Sequence, residues 1–273
     1  MSDNFKLQER DLFMLYGLLK YPMSLIQIFQ YINLNYYEKP FPSLNYLQER
    51  IKILHNQKLI KRDKIETGNS IKPCFYYYLS VNAKRFIPEL QDINNKNAIL
   101  SSIPIFEIEY SLLVSEFMIY FEHSMMKRKM EFQYWLRKGD IIYDIALNGK
   151  KQKLVPQGTI IIKDSEGNYH LFYLETNISK NLLFNIEKDY FIDKLALYEN
   201  ILKSKDNSFK GISFKSRSVL CLFNNKEKMR NTIRKTENFT GNYFFLETQN
   251  IKNRNLLRNK IWTNKHNEQV KLI

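Results

Sequence analysis

The sequence predicts a mixed α/β chain in two parts, and three observations carry that expectation. Apolar residues recur at helical intervals three times before Asn56, and two strand-like runs follow. A polar, aperiodic stretch, Gln91–Asn97, then sets this pattern apart from the remainder. Beyond it the periods run helix, strands, helix, strand, which is the order of an α/β domain.

Composition narrows the class before any motif is read. The 273 residues include 18 Tyr and 19 Phe against only 8 Gly and 7 Pro, which excludes disordered and fibrous chains and leaves a packed protein. No run approaches the roughly 18 uncharged apolar residues of a membrane span, and MSDNFKLQERD has no apolar secretory stretch. The expectation is a cytoplasmic protein without a membrane partner. Cys74 and Cys221 stand far apart with no Cys or His beside them, so neither a disulfide framework nor a zinc site has a basis, and both are expected as reduced core residues. The formal charge of +14, from 42 Lys and Arg against 28 Asp and Glu, attracts a polyanion, and nucleic acid is the first candidate.

Residues 1–90 take three helices and a hairpin. Leu12, Phe13, Leu15, Tyr16, Leu18 and Leu19 mark the first helix, which Tyr21-Pro22-Met23-Ser24 interrupts. Ser24 opens a second with Leu25, Ile28, Phe29 and Ile32 on one face. Ser43 caps a third, whose stripe Leu44, Leu47, Ile51 and Leu54 leaves Asn45, Tyr46, Gln48, Glu49, Arg50 and Lys52 for solvent or a ligand. Leu59–Ile65 and Cys74–Leu79, joined through Glu66–Pro73, read as a β-hairpin, with Tyr76, Tyr77 and Tyr78 alternating between core and surface.

Three helices and a hairpin are the outline of a winged helix-turn-helix. Such a unit sets short polar side chains against base edges in the major groove and basic residues against phosphate. Ser43, Asn45, Tyr46, Gln48, Glu49, Arg50 and Lys52 are the candidates on the helix, and Lys61, Arg62, Lys64 and Lys72 those on the wing. Nine basic and three acidic residues between Ser43 and Arg85 put a local surplus of positive charge there.

Residues 98–273 make the second part. Ile108, Leu112, Leu113, Phe117, Met118 and Phe121 predict a long amphipathic helix ending near Lys127-Arg128-Lys129. Strands are expected at Met130–Leu136, Gly158–Ile162 and Tyr169–Leu174, the last two joined by the polar turn Asp164–Asn168. A helix over Phe184–Ser204 and a strand over Ser218–Phe223 follow. From Asn200 onward sixteen basic residues face five acidic ones, which would add phosphate contacts if the charges gather on one side.

The helix Glu109–Phe121, Trp135, Pro156-Gln157-Gly158, Leu174-Glu175, Lys194-Leu195-Ala196-Leu197-Tyr198, Cys221-Leu222-Phe223 and Ile261-Trp262 together resemble, in order and spacing, the replication-relaxation proteins of plasmids, phages and integrative elements. The resemblance covers nearly the whole chain. It implies an N-terminal winged helix joined to a domain like the PD-(D/E)xK nucleases, acting in replication, relaxation or transfer. In those nucleases two carboxylates hold a divalent metal and a lysine two residues past the second helps activate water. Here Gln157 stands where the family tends to have the first acid, and Asn177 where the lysine would be. What is left is Glu175, with Asp140 or Asp144 as remote substitutes and Lys194 from the helix. The implied domain is therefore a degenerate nuclease platform, with Mg²⁺ or Mn²⁺ as cofactor only if it is active.

No other catalytic pattern competes. His55, His123, His170 and His266 have no ligand spacing, and neither a Gly-rich phosphate loop nor a Gly-x-Ser-x-Gly elbow is present. The reading is a sequence-specific duplex-DNA-binding protein of a mobile element, acting at an origin as a homodimer or with replication or relaxase proteins. A metal-dependent nuclease or nickase using Glu175 and a repressor of the element's own operon are the alternatives.

Overall fold

In the computed structural model, which describes residues 6–36, 38–65, 74–86, 105–147, 149–178, 187–204, 208–252 and 255–273, the chain divides into two units, Met1–Ile119 and Tyr120–Ile273. The first begins with α1 (Glu9–Lys20), β1 (Met23–Ser24), α2 (Leu25–Asn35) and α3 (Leu44–Asn56). It continues with β2 (Ile60–Ile65), β3 (Cys74–Leu79) and a 3-10 turn at Val81–Phe86. Local chemistry sets the helix starts. The Ser24 hydroxyl accepts from the Gln27 amide at 3.3 Å while the Gln27 side chain accepts from the Ser24 amide at 2.9 Å, a reciprocal cap. Ser43 accepts from the Tyr46 amide at 3.3 Å and opens α3 as its sequence predicts.

Met14, Leu15, Leu18, Ile28, Ile32, Leu47, Ile51 and Leu54 are buried on the helices, as are Ile60 and Leu79 of the hairpin. The small sheet has the order β1-β3-β2, all antiparallel. Tyr76, Tyr77 and Tyr78 are all buried, at 1%, 7% and 6% exposure, rather than alternating between core and surface. The reason is a second cover. Helix α4 (Ile105–Met126) lays Ile108 against Tyr76 and Tyr78, so the face of β3 turned from the first three helices is also taken out of water. Its backbone is tied to the same unit, where Gln27 donates to the Leu112 carbonyl at 2.7 Å and Ser115 donates to the Pro22 carbonyl at 2.5 Å.

That packing corrects the expected division. Residues 91–97 lie outside the described part of the chain, and the boundary in the described part falls after Ile119, inside α4. The helix expected to open the second domain gives most of its length to the first. Cys221 is buried as expected, whereas Cys74, at the outer end of β3, is exposed.

The second unit holds the last turns of α4 and a sheet ordered β13-β12-β11-β10-β8-β7-β4. Its strands are β4 (Glu131–Arg137), β7 (Gly158–Lys163), β8 (Tyr169–Asn177), β10 (Ile212–Phe223), β11 (Asn242–Glu247), β12 (Trp262–Asn264) and β13 (Gln269–Val270). A separate hairpin, β5 (Tyr143–Leu147) and β6 (Lys150–Leu154), and the short β9 (Ser208–Phe209), which pairs with β10, complete the strands. β8, β10 and β11 are parallel, with α5 (Glu187–Lys203) and α6 (Lys226–Thr236) as their crossovers, while the outer strands are antiparallel. Leu171 and Tyr173 share a core with Leu195 and Tyr198 of α5 and with Met229 and Ile233 of α6. Phe172, on the alternate face, meets Phe121 of α4 edge-on with ring centres 6.1 Å apart. Helices on both faces explain why β7 and β8 are almost continuously buried.

The turn between β7 and β8 is held by Asp164. Its carboxylate accepts from the amides of Glu166 and Asn168, each at 2.9 Å, and from His170 Nε2–H at 3.0 Å. His170 Nδ1 meets the Ser216 hydroxyl at 2.7 Å, which fastens the turn to β10. Burial works to raise the Asp164 pKa, but the hydrogen bonds from His170, Asn168 and Glu166 outweigh it and hold the carboxyl well below the usual carboxylate range.

Two outcomes follow from these contacts. A Cβ at Gly158 would run into the Trp135 indole of β4, so Gly158→Ala is expected to lower stability by about 1–3 kcal/mol, read as a lower urea midpoint at unchanged slope. The ionised Asp164 stabilises the fold fully above its unfolded value near pH 4, and that contribution disappears as pH falls through the lower folded value. The stability gap between wild type and Asp164→Asn should therefore narrow from about pH 5 down to about pH 2 in acid-unfolding titrations.

Candidate nucleic-acid interface

Helix α3 presents one face to the core and one to solvent. Leu47, Ile51 and Leu54 are buried, and Ser43, Asn45, Tyr46, Gln48, Glu49 and Lys52 are exposed. Spacing of three and four residues puts the buried set on one stripe, so the polar set is forced outward. Glu49, an unwelcome charge beside phosphate, is matched by Lys52 at 2.6 Å one turn on, leaving the face without a net negative charge.

Arg50 does not reach that face. Its Nε donates to Asp11 Oδ1 at 2.8 Å and its Nη2 to Asp11 Oδ2, a two-pronged pair whose carboxylate is fully buried. A further bond runs from Nη2 to the Lys6 carbonyl at 3.1 Å. The hydrogen bonds to Asp11 raise the guanidinium above its ordinary value. The expectation that Arg50 contacts bases is thus corrected. Its spacing from Ile51 and Leu54 placed it on the polar side, but an acid on α1 captures it, and the residue fixes α3 against α1 instead.

A different arginine takes up the open position. Arg10 of α1 stacks over Phe41 at 4.3 Å and Tyr46 at 5.2 Å and donates to the Tyr46 hydroxyl at 3.5 Å. Sequence reasoning missed it because the contact spans 36 positions, and helical period within α1 says only that Arg10 lies off the apolar stripe.

The hairpin cations split between two faces. Strand alternation puts Arg62 and Lys64 on one side and Lys61 on the other. Arg62 pairs across the ladder with Tyr77 and lies 4.8 Å over the Phe75 ring, and it is exposed, as is Lys64 opposite Phe75. Lys61 shares its side with Asp63, which accepts from the hydroxyls of Tyr76 and Tyr78 at 3.2 and 3.0 Å. Burial, with Asp63 beside it, pushes the Tyr78 phenol above its ordinary value. Lys72 lies outside the described residues. Arg62 and Lys64 thus share one side of the hairpin, and Lys61 lies on the other.

In the second unit, Glu175 and Lys194 do come together. Glu175 lies in the buried run of β8, where Lys194 donates to Oε2 at 2.7 Å, the Tyr198 hydroxyl donates to Oε1 at 2.6 Å, and the Gln157 amide also donates. Lys194 and Tyr198 are four apart on α5 and so share one face. Burial pushes the Glu175 carboxyl upward, and Lys194 and Tyr198 oppose that. A hard divalent ion needs several oxygen donors carrying negative charge. Here the single acid is already bonded at both oxygens, an ammonium sits beside it, and Gln157 and Asn177 are neutral. Asp140 closes its own turn by accepting from the Arg137 amide at 2.6 Å, and Asp144 is exposed on β5. Among the described residues no group of three or more His, Cys, Asp or Glu is placed to hold a metal. These residues do not fit Mg²⁺ or Mn²⁺.

No family model matches the chain, and no curated protein matches it. Among solved structures, that of restriction endonuclease FokI bound to DNA is similar at 13% identity and a TM-score of 0.28, covering 92% of this chain and 44% of that one. The structure of restriction endonuclease FokI is similar at 13% identity and a TM-score of 0.31, covering 89% of this chain and 42% of that one. The likeness is weak, and the chain spans less than half the length of those proteins. Among the described residues no helix is long and apolar enough to cross a membrane.

Removing either member of the Asp11–Arg50 pair leaves the other's charge without its partner in a buried place. Asp11→Ala and Arg50→Ala are each expected to cost about 3–5 kcal/mol by urea unfolding. Gln48→Ala, on the exposed face of the same helix, should stay within about 0.5 kcal/mol of wild type.

Proposed function

We propose that the chain binds double-stranded DNA through a winged helix-turn-helix formed by α1, α2, α3 and the β2–β3 hairpin. The observation that carries this reading is the exposed polar face of α3, with Arg10 against its Tyr46 and exposed Arg62 and Lys64 on the hairpin of the same unit. Asn45, Tyr46, Gln48 and Glu49 lie on the first turns of that face, where the N-terminal end of a helix entering the major groove meets base edges. Asn and Gln suit the paired donor and acceptor of adenine, and the aromatic ring of Tyr46 gives an apolar contact. Arg62 and Lys64 supply phosphate contacts that carry no sequence information but set register. Arg50 acts as a positioning residue, since the angle at which α3 leaves the core depends on its bond to Asp11.

The biological setting follows from the resemblance to replication-relaxation proteins: an origin or operator of a plasmid, phage or integrative element, where a single short half-site makes a homodimer or a replication or relaxase partner necessary for tight binding. The second unit serves in this reading as a non-catalytic platform. The paired state of Glu175 favours that over a metal-dependent nuclease or nickase, and a repressor role differs only in where the bound site lies.

Binding to random and genomic duplexes, followed by fluorescence anisotropy across a salt series, tests the proposal. Arg62→Ala and Lys64→Ala should weaken all duplexes alike and each reduce the salt slope by about one, with Lys61→Ala having a smaller effect. Gln48→Ala should instead change which sequences are preferred, by about 1–3 kcal/mol at the contacted base pair. Absence of duplex binding at low ionic strength overturns the reading, and plasmid nicking that requires Mg²⁺ and is lost in Glu175→Gln overturns the non-catalytic platform.

A further inference from the structure

The last turn of α4 and the segment before β12 enclose a cleft of about 260 Å³ lined by Ser124, Lys127, Arg128, Asn255, Leu257 and Arg258. Three of the six lining residues are cations and none is an acid. Lys127 and Arg258 are exposed, and among the described residues neither has a carboxylate partner. Arg128 donates through Nη1 to the backbone oxygen of Ile273 at 2.9 Å, which fixes its guanidinium at the cleft while leaving its other donors uncommitted by that bond.

A bland explanation covers part of this. Lys127 and Arg128 follow α4 directly, where cations complement the carbonyls at a helix C-terminus. That account does not reach Arg258, which arrives from a segment more than 120 positions later and is brought to the same concavity. The scaffold beneath is tightly built: the Ser124 hydroxyl accepts from the Leu256 amide at 2.9 Å and donates to the Tyr120 carbonyl at 2.8 Å, and the Trp262 indole donates to the Leu256 carbonyl at 2.7 Å. Three other cations of the C-terminal third are engaged within the fold. Lys203 pairs with Glu199 at 3.2 Å, Lys215 with Glu166 at 3.3 Å, and Arg217 donates to the carbonyls of Leu202 and Ser204 at 3.1 and 2.6 Å. In the cleft, by contrast, three cations gather with no acidic side chain among the lining residues.

We propose that this cleft is a phosphate-binding site in the second unit, taking a phosphate group of a nucleotide or nucleic acid between Lys127, Arg128 and Arg258. Two guanidinium groups supply forked donors for the phosphate oxygens and the ammonium supplies a compact third charge. A concave site also favours a phosphate that projects, such as a strand terminus or a mononucleotide, over one that passes along a smooth duplex. The site is independent of the α3 face, so it stands whether or not the N-terminal unit reads DNA.

Isothermal titration of the full chain with inorganic phosphate, with a mononucleotide 5′-phosphate, and with a short single strand carrying or lacking a 5′-phosphate tests this. Saturable binding of inorganic phosphate is expected, weakened about tenfold by Lys127→Ala and by Arg258→Ala and unchanged by Lys226→Ala at the exposed start of α6. Both cleft variants alter exposed side chains, and an unchanged thermal transition confirms that they fold. A mononucleotide and the 5′-phosphorylated strand binding more tightly than the unphosphorylated strand assigns the source as a terminal phosphate, while equal binding of both strands assigns it as the internal backbone. Phosphate binding that is absent, or that survives both variants intact, overturns the site. Inorganic phosphate binding is compared between wild type and the cleft variants by calorimetry and duplex binding is measured separately by anisotropy, so failure of duplex recognition and failure of the cleft are read apart.

Discussion

The Asp11–Arg50 pair is the constraint on which the N-terminal unit turns. A carboxylate removed from water on α1 is acceptable only with a partner that satisfies both of its oxygens, and the forked guanidinium of Arg50 does so. The pair ties α3 to α1. With Leu47, Ile51 and Leu54 facing inward and Arg50 drawn to α1, the remaining side chains of α3 face solvent as a fixed group. Asp11 has a second duty, since its Oδ2 also accepts from the Gln8 amide at 2.7 Å and closes the start of α1. One buried acid therefore both closes the start of the first helix and bonds the third.

The second unit handles a buried acid in a similar way. Glu175 is taken out of water at the end of β8 and compensated by Lys194 and Tyr198. Such a cluster joins α5 to the sheet through hydrogen bonds at both carboxylate oxygens. His170 repeats the lesson, because between Asp164 and Ser216 it ties a turn to a neighbouring strand.

Much of the architecture was legible because its signals are local. Ser24 and Ser43 announce their helices by capping, and Thr159–Ile162 and Ser218–Phe223 announce buried strands by unbroken apolar runs. What escaped notice has weak local signals. Helix α6 is so rich in Lys, Arg and Asn that only Met229 and Ile233 mark its apolar stripe, with Thr232 and Thr236 buried beside them. β6, of sequence KKQKL, buries Leu154 and little else, and β12 and β13 are too short to show a period.

The sequence by itself determined the elements that rest on near neighbours: the three N-terminal helices, the hairpin, the mixed α/β order of the second unit, the surplus of positive charge, and the neutral residues at positions 157 and 177. Tertiary structure alone decided which charges are available. It directed Arg50 inward and Arg10 outward, set Lys61 on the opposite side from Arg62 and Lys64, gave most of α4 to the first unit, and brought Arg258 beside Lys127. The physical reason is one of range. Caps and periodic stripes act over three or four residues, whereas a buried ion pair or a cluster of cations joins residues dozens of positions apart, and only the folded chain brings them within reach of one another.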